Sequence, residues 1–322
     1  MTHQKLITVV GATGSQGGGL ARAILADPER TFALRAMTRT VDSPAAQELA
    51  RSGATVVPAD LDDEDSVRRA FDGAHGVFVM TNYWAPITAE REAQQNRAER
   101  ELAQAETAAR AARAAGVAHV VWSTLEDTRE FFGDDDRVPT VDGRYKVPHF
   151  DAKAEADDAF RRHGVPTTFL RTAFFFDNIA AGTGLARDEN GALLLTLPLD
   201  DKPLSGIAVE DIGKTALGIF KRGPELIGAT VSIAGEHLTG DQYAAALADV
   251  LGEPVRYRPL SPDAFRAQGF PGAVEMGNMF QYYAQNADRF VGDRDLGRVR
   301  TLNPELLSFR AFLDTVAPAV PA

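Results

Sequence analysis

Along the first half of the chain, short apolar runs alternate with amphipathic segments in a regular rhythm. Lys5–Val10, Phe32–Thr38, Thr55–Pro58, Gly76–Thr81 and His119–Ser123 are brief and rich in β-branched or aromatic residues, the pattern of buried strands. Between them Gly17–Ala26, Ala45–Ser52, Glu64–Phe71 and a long stretch, Thr88–Ala115, carry helical spacing, with Gly116 placed as a C-cap. Repeated strand–helix units predict a parallel sheet covered on both faces and joined by right-handed crossovers, a Rossmann-type doubly wound α/β fold. The Ala- and charge-rich helix over 88–115 reads as a solvated flank of that sheet or as a helix-pair face for a homodimer.

The rhythm breaks over Leu125–Lys146, where FFGDDD and Pro139 predict a loop. Three adjacent aspartates there read as a solvated turn, and no metal site is expected. A helix from Asp151, as N-cap, to Arg162 and a strand Thr167–Arg171 restore the pattern. Beyond them helices and short strands mix, and ATVSIAG at 229–235 reads as one further strand of the first sheet. The expected organisation is a dinucleotide-binding domain over 1–171, with a strand returned from 229–235. A smaller, interleaved mixed α/β lobe over 172–322 would mainly serve substrate or partner binding.

Composition narrows the function classes. The 322 residues are 44% hydrophobic and 25% charged, as in ordinary globular proteins. A net charge of −11 argues against a nucleic-acid partner. The chain has no cysteine, which removes disulfides, thiolate metal sites and thiol nucleophiles. No stretch nears about 18 uninterrupted apolar residues and no secretory leader is visible, so a soluble cytoplasmic protein without membrane contact is expected.

Candidate chemistry begins at VVGATGSQGGGLARAIL, residues 9–25. Gly11, Gly14 and Gly17 form G-x-x-G-x-x-G between a strand and a helix, where missing Cβ atoms let backbone approach a pyrophosphate at the helix N-terminus. Thr13, Ser15 and Gln16 add side-chain donors. At the end of the second strand, where NAD-binding folds place an acid for the ribose, this chain has Thr38 and Arg39. An arginine suits a 2′-phosphate, which points to NADP(H). Asp60 and Leu61 are placed to border adenine. Thr81 with Asn82, and Ser123 with Thr124, end the fourth and fifth strands, where open α/β sheets bind ligands.

GATGSQGG (11–18), RAMTR (35–39), ADLDD (59–63), GVFVMTNYW (76–84), VPHFDAKAE (147–155) and FFFDN (174–178) together resemble the NmrA-like family, an atypical branch of the short-chain dehydrogenase/reductases. TNYW and HFDAK are most similar to its HSCARG-type subgroup, regarded as NADPH sensors. The resemblance implies NADP(H) in an extended cleft, a cofactor-proximal lysine at Lys153, and Phe176 to Asn178 near the nicotinamide. Thr172–Ala173 departs from the family, whose members tend to show a proline there.

The chemistry turns on a second departure. The superfamily's Tyr-x-x-x-Lys would place tyrosine four residues before Lys153, and that position is His149. Tyr145 lies one turn further back, with Pro148 interrupting a helix through it. His149 reads as a proton donor or as a capping or packing residue. Tyr83, Trp84, Phe174, Phe175, Phe176, Tyr282 and Tyr283 read as an aromatic substrate pocket or as ordinary core. Two functions follow: an NADPH-dependent reductase of a small conjugated or aromatic acceptor, and a non-enzymatic NADPH/NADP redox sensor acting on a protein partner.

Overall fold

The computed structural model describes residues 4–320. In chain order the first elements are β1 (Lys5–Val10), α1 (Ser15–Ala26), β2 (Phe32–Thr38), α2 (Pro44–Arg51), β3 (Thr55–Pro58), α3 (Glu64–Phe71) and β4 (Gly76–Val79). They continue with α4 (Ala89–Gln94), α5 (Arg97–Ala114), β5 (His119–Thr124), α6 (Arg129–Phe132), α7 (Pro148–Arg162) and β6 (Thr167–Arg171). The remainder comprises β7 (Phe174–Phe175), α8 (Phe176–Ala180), β8 (Leu185–Arg187), β9 (Leu193–Leu195), β10 (Leu204–Ile207), α9 (Val209–Arg222) and a 3-10 turn at Gly223–Leu226. After these come β11 (Thr230–Ser232), β12 (Glu236–Leu238), α10 (Gly240–Leu251), β13 (Val255–Tyr257), α11 (Pro262–Arg266), α12 (Ala273–Gln285), α13 (Ala287–Gly292), α14 (Leu296–Leu302) and α15 (Phe309–Leu313).

The chain forms two compact units. The first contains residues 1–127, 149–171 and 212–231, the second 128–148, 172–211 and 232–322. The expected boundary at 171 is thus one of several passages between units, and the 128–148 segment and most of α9 sit on the opposite side from a single cut there.

The first unit is built on a seven-stranded sheet in the order β3-β2-β1-β4-β5-β6-β11, with helices covering it: the doubly wound α/β architecture. The pairs from β3 through β6 are parallel, and β11 extends the sheet beyond β6. Because order reverses between β1 and β4, the turns after these two strands diverge and leave a crevice at their carboxyl ends. One face packs Val77 and Trp122 against Phe71 of α3, the Ala-rich face of α5, and Phe160 of α7. On α9, a Cβ added at Gly213 would lie 2.2 Å from the carbonyl carbon of Gly19, so glycine there permits close approach to α1.

The expected continuous helix over 88–115 is two helices. Thr88 caps α4, Gln95 is extended, and Asn96 starts α5 through a capping box with Glu99. Helix α7 begins at Pro148 rather than after Asp151, because proline's fixed φ and missing N–H suit a first turn. The expected loop 125–146 contains the short α6 and a bridge between Val141 and Tyr145.

The second unit holds two three-stranded sheets, β12-β10-β7 and β13-β9-β8. Its core includes the rings of Phe176, Tyr243, Phe309 and Phe312. Lys146 fastens its own loop by donating to the carbonyls of Asp135 and Val138 and to the Thr140 hydroxyl. Among the described residues no helix is long and apolar enough to cross a membrane.

Candidate functional site

Strand β1 delivers the chain into the glycine turn, and each glycine has a steric reason. Gly11 adopts φ +66°, in the left-handed region. At Gly17 an added Cβ would stand 2.4 Å from the Gly11 carbonyl oxygen and 2.6 Å from that of Val10. Gly14 is the N-cap of α1 and supplies no capping side chain, so the turn presents helix N–H groups through exposed Thr13, Gly14 and Ser15. This arrangement fits an anion such as a pyrophosphate.

The neighbouring strand supplies the charge. Thr38 ends β2 with its hydroxyl 3.4 Å from that of Thr13, and it also accepts from the Thr40 N–H. Arg39 follows, exposed, and among the described residues its guanidinium has no hydrogen-bond or ion-pair partner. An exposed cation one residue after that strand end can take a phosphate. Asp60 and Leu61 lie in the loop that follows β3. The Asp60 carboxylate accepts from the Asp62 N–H, and Leu61 is buried.

Asp62 lies in the same loop and ties it to two helices. Its carboxylate accepts from Arg91 at 2.6 Å, Arg100 at 3.0 Å and Gln104 at 2.7 Å, pinning α4 and α5 to the loop that carries Asp60. Burial opposes its ionisation, but the hydrogen bonds from Arg100 and Gln104, with the charges of Arg100 and Arg91, hold the carboxyl below its ordinary value.

On the β4–β5 side the structure brings together Thr81, Lys153 and a residue that sequence reasoning missed, Glu101. The Lys153 ammonium donates to the Thr81 carbonyl at 2.9 Å, to the Thr81 hydroxyl at 2.7 Å and to the Glu101 carboxylate. The Thr81 hydroxyl in turn donates to Glu101. The side chains of Lys153 and Glu101 are 10% and 1% exposed. An ammonium has three N–H donors, and all three are occupied here. Glu101 left a signal in the sequence: it falls on the helical stripe Ala98, Ala105, Ala108, Ala112 that α5 buries, where a lone carboxylate requires a partner.

Ser123, buried at the end of β5, donates to the Gln16 side-chain carbonyl at 2.7 Å, tying β5 to the glycine turn. Thr124 donates to the Lys153 backbone carbonyl. Beneath them Trp122 donates its indole N–H to Asp157 at 2.9 Å, and Lys153 lies 5.3 Å from the centre of the Trp122 ring. Burial pushes the Asp157 carboxyl up to about 6, against the hydrogen bonds of Thr124 and Trp122 and the charges of Arg161 and Arg171.

His149 lies one helical turn before Lys153 on α7 and meets an aromatic wall. Its ring centre is 5.8 Å from that of Tyr83 and 5.3 Å from that of Trp84, which is 43% exposed. Arg97 holds this loop by donating to the carbonyls of Tyr83 and Ala85, and exposed Asn82 accepts from the Ala85 N–H.

The other candidates lie in the second unit. Phe176, expected near the nicotinamide, is fully buried in that unit's core, its ring packed on Phe309. Asn178 is exposed on α8. Phe174 packs on Phe280 and Tyr283, while Tyr282 packs on Phe131, Phe132 and Phe290. Tyr145 stands outside α7, with Arg129 and Arg144 over its ring and Arg144 donating to its hydroxyl at 2.5 Å.

The chain and its fold resemble known proteins. The chain is 31% identical over 303 residues to FrzB of Cladobotryum sp, an NmrA-like family domain-containing oxidoreductase, covering 88% of this chain and 85% of that protein. NmrA, a negative transcriptional regulator solved with NADP and with NAD, superposes with TM-scores of 0.76 and 0.77 at 23% identity, over 98% of this chain and 96% of its own. The NADPH-dependent quinone oxidoreductase QOR2 of Escherichia coli, solved with NADPH, superposes with a TM-score of 0.70 at 21% identity, over 97% and 99%. These superpositions share the fold seen here, and a model of the NmrA-like family matches residues 3–304. The chain belongs to the NmrA-like family.

Proposed function

We propose that this protein binds NADP(H) and reduces a small conjugated or aromatic acceptor, of which a quinone is the simplest example. The observation that carries the cofactor assignment is Arg39, an unpartnered cation that directly follows β2 and the Thr38 hydroxyl bonded to Thr13. NmrA accepts both NADP and NAD, so the arginine is what favours the phosphorylated form in this chain.

When bound, the nicotinamide supplies a hydride. The glycine turn and α1 hold the pyrophosphate, Arg39 and Thr38 the 2′-phosphate, and Asp60 and Leu61 flank the adenine. Thr81, Asn82, Ser123 and Lys153 serve the other half. The exposed Trp84 ring, with the buried Tyr83 ring edge-on to it at 80°, offers an apolar face on which a planar acceptor can stack. His149 supplies the imidazole of that wall, a side chain able to pass a proton to a reduced acceptor.

The choice of acceptor follows from what is missing beside Lys153. Where tyrosine would act as an acid the chain has His149, and the ammonium is fully engaged by Thr81 and Glu101. Conjugated acceptors take hydride with less help from a protein acid than simple ketones do, and the E. coli quinone oxidoreductase of the same fold acts on such a compound. The same departure from tyrosine also supports the second reading, an NADPH sensor of the HSCARG type that changes its hold on a protein partner.

Steady NADPH oxidation against a panel of quinones, enones and imines separates the two. Turnover with quinones and little with simple ketones is the expected result. Tight NADPH binding with no turnover on any acceptor overturns the reductase assignment and leaves the sensor.

A further inference from the structure

The Glu101–Lys153 pair is a poor device for stability alone. Both side chains have left water, and a buried ion pair is often matched or bettered by apolar residues of similar volume. It is also placed with purpose. Gly11 to Gly17 hold the middle of a dinucleotide after β1, and Arg39 with Asp60 claims the β2–β3 side. By strand order the redox half then falls on the β4–β5 side, where Thr81 follows β4 and Ser123 lies near the end of β5. Thr81 touches both members of the pair.

Resting on the NADP(H) assignment above, we infer that Glu101 is a positioning residue that fixes Lys153 against Thr81. With it, Glu101 sets the net charge beneath the nicotinamide and so the preference between NADP⁺ and NADPH. The oxidised ring is a cation and the reduced ring is neutral, so a charge under the ring acts on one form and not the other. With the pair intact the two charges offset one another. Removing the carboxylate leaves an excess positive charge that disfavours NADP⁺. Removing the ammonium leaves an excess negative charge that favours it. A purely structural role would alter both affinities together.

The test measures dissociation constants for NADP⁺ and NADPH by calorimetry, at fixed pH and ionic strength, on the full chain. Glu101→Gln keeps the oxygen that accepts from Lys153 and Thr81 while removing the charge. It is expected to raise the ratio of the NADP⁺ constant to the NADPH constant on the order of tenfold. Lys153→Met is expected to lower the ratio by a similar factor, and the double variant to return it towards wild type. Where Glu101→Gln fails to fold, Lys153→Met compared with the double variant isolates the same charge. Ratios within about twofold of wild type in every folded variant overturn the inference while leaving the cofactor assignment standing. Wild-type protein that binds neither nucleotide overturns both.

Discussion

At the scale of single residues, Thr38 and Arg39 sit in different environments. Thr38 is buried and faces Thr13, which fixes the strand end, and Arg39 projects outward with its donors open. Loss of a guanidinium–phosphate contact removes about 1.5–3 kcal/mol. Arg39→Ala is therefore expected to weaken NADPH binding about tenfold to a hundredfold and to change NADH binding by less than about threefold. Titration of both nucleotides checks this, and equal losses would remove the phosphate role. The geometry of the glycine turn was legible in the sequence because it is local, set by a strand before and a helix after. Glu101 and Asp62 were not, because their partners come from Lys153, 52 residues away, and from Arg91 and Gln104 on helices still to be placed. A carboxylate among helix-start acids looks like its neighbours until the fold brings cations to it.

At the scale of elements, strands β1, β2, β3 and β6 fall where their apolar runs place them, since a buried parallel strand needs little beyond such a run. The helix divided at Gln95 is the instructive miss. The Asn96-x-x-Glu99 signal lay in the chain, but Ala- and Arg-rich flanks hid it within a longer helical pattern. The bond between Trp122 on β5 and Asp157 on α7 joins helix to sheet and carries its own pH signature. Folding raises the Asp157 carboxyl from 3.8 to about 6, so between those values the folded chain binds more protons than the unfolded one. Stability from this group consequently falls as pH rises through that window, on the order of 3 kcal/mol in all. Urea unfolding from pH 4 to 7 is expected to show Asp157→Asn gaining on wild type by about that amount. A difference that stays flat across the range would place the ionisation elsewhere.

For the whole molecule, a ligand that binds only the folded state raises its stability by mass action. At about a hundredfold excess over its dissociation constant, NADPH should add about 2.7 kcal/mol, a midpoint rise of about 4 °C for a chain of this length. Thermal scans with NADPH and NADH, on wild type and Arg39→Ala, read this without any turnover. The rise with NADPH should shrink in the variant to that seen with NADH. An unchanged rise would mean that the phosphate is held by other groups.

The threading of the chain has a practical consequence for anyone who would take it apart. Each unit is assembled from three separate stretches, and the polypeptide passes between them five times. A fragment ending at Arg171 would keep the glycine turn, Arg39 and Lys153. It would lose the glycine-bearing helix that rests on α1 and the strand that extends the sheet beyond β6. Such a fragment is expected to express as insoluble material, where a detachable nucleotide-binding module would remain soluble and bind NADPH. On that expectation, chimeras with other family members must exchange the whole chain or single side chains.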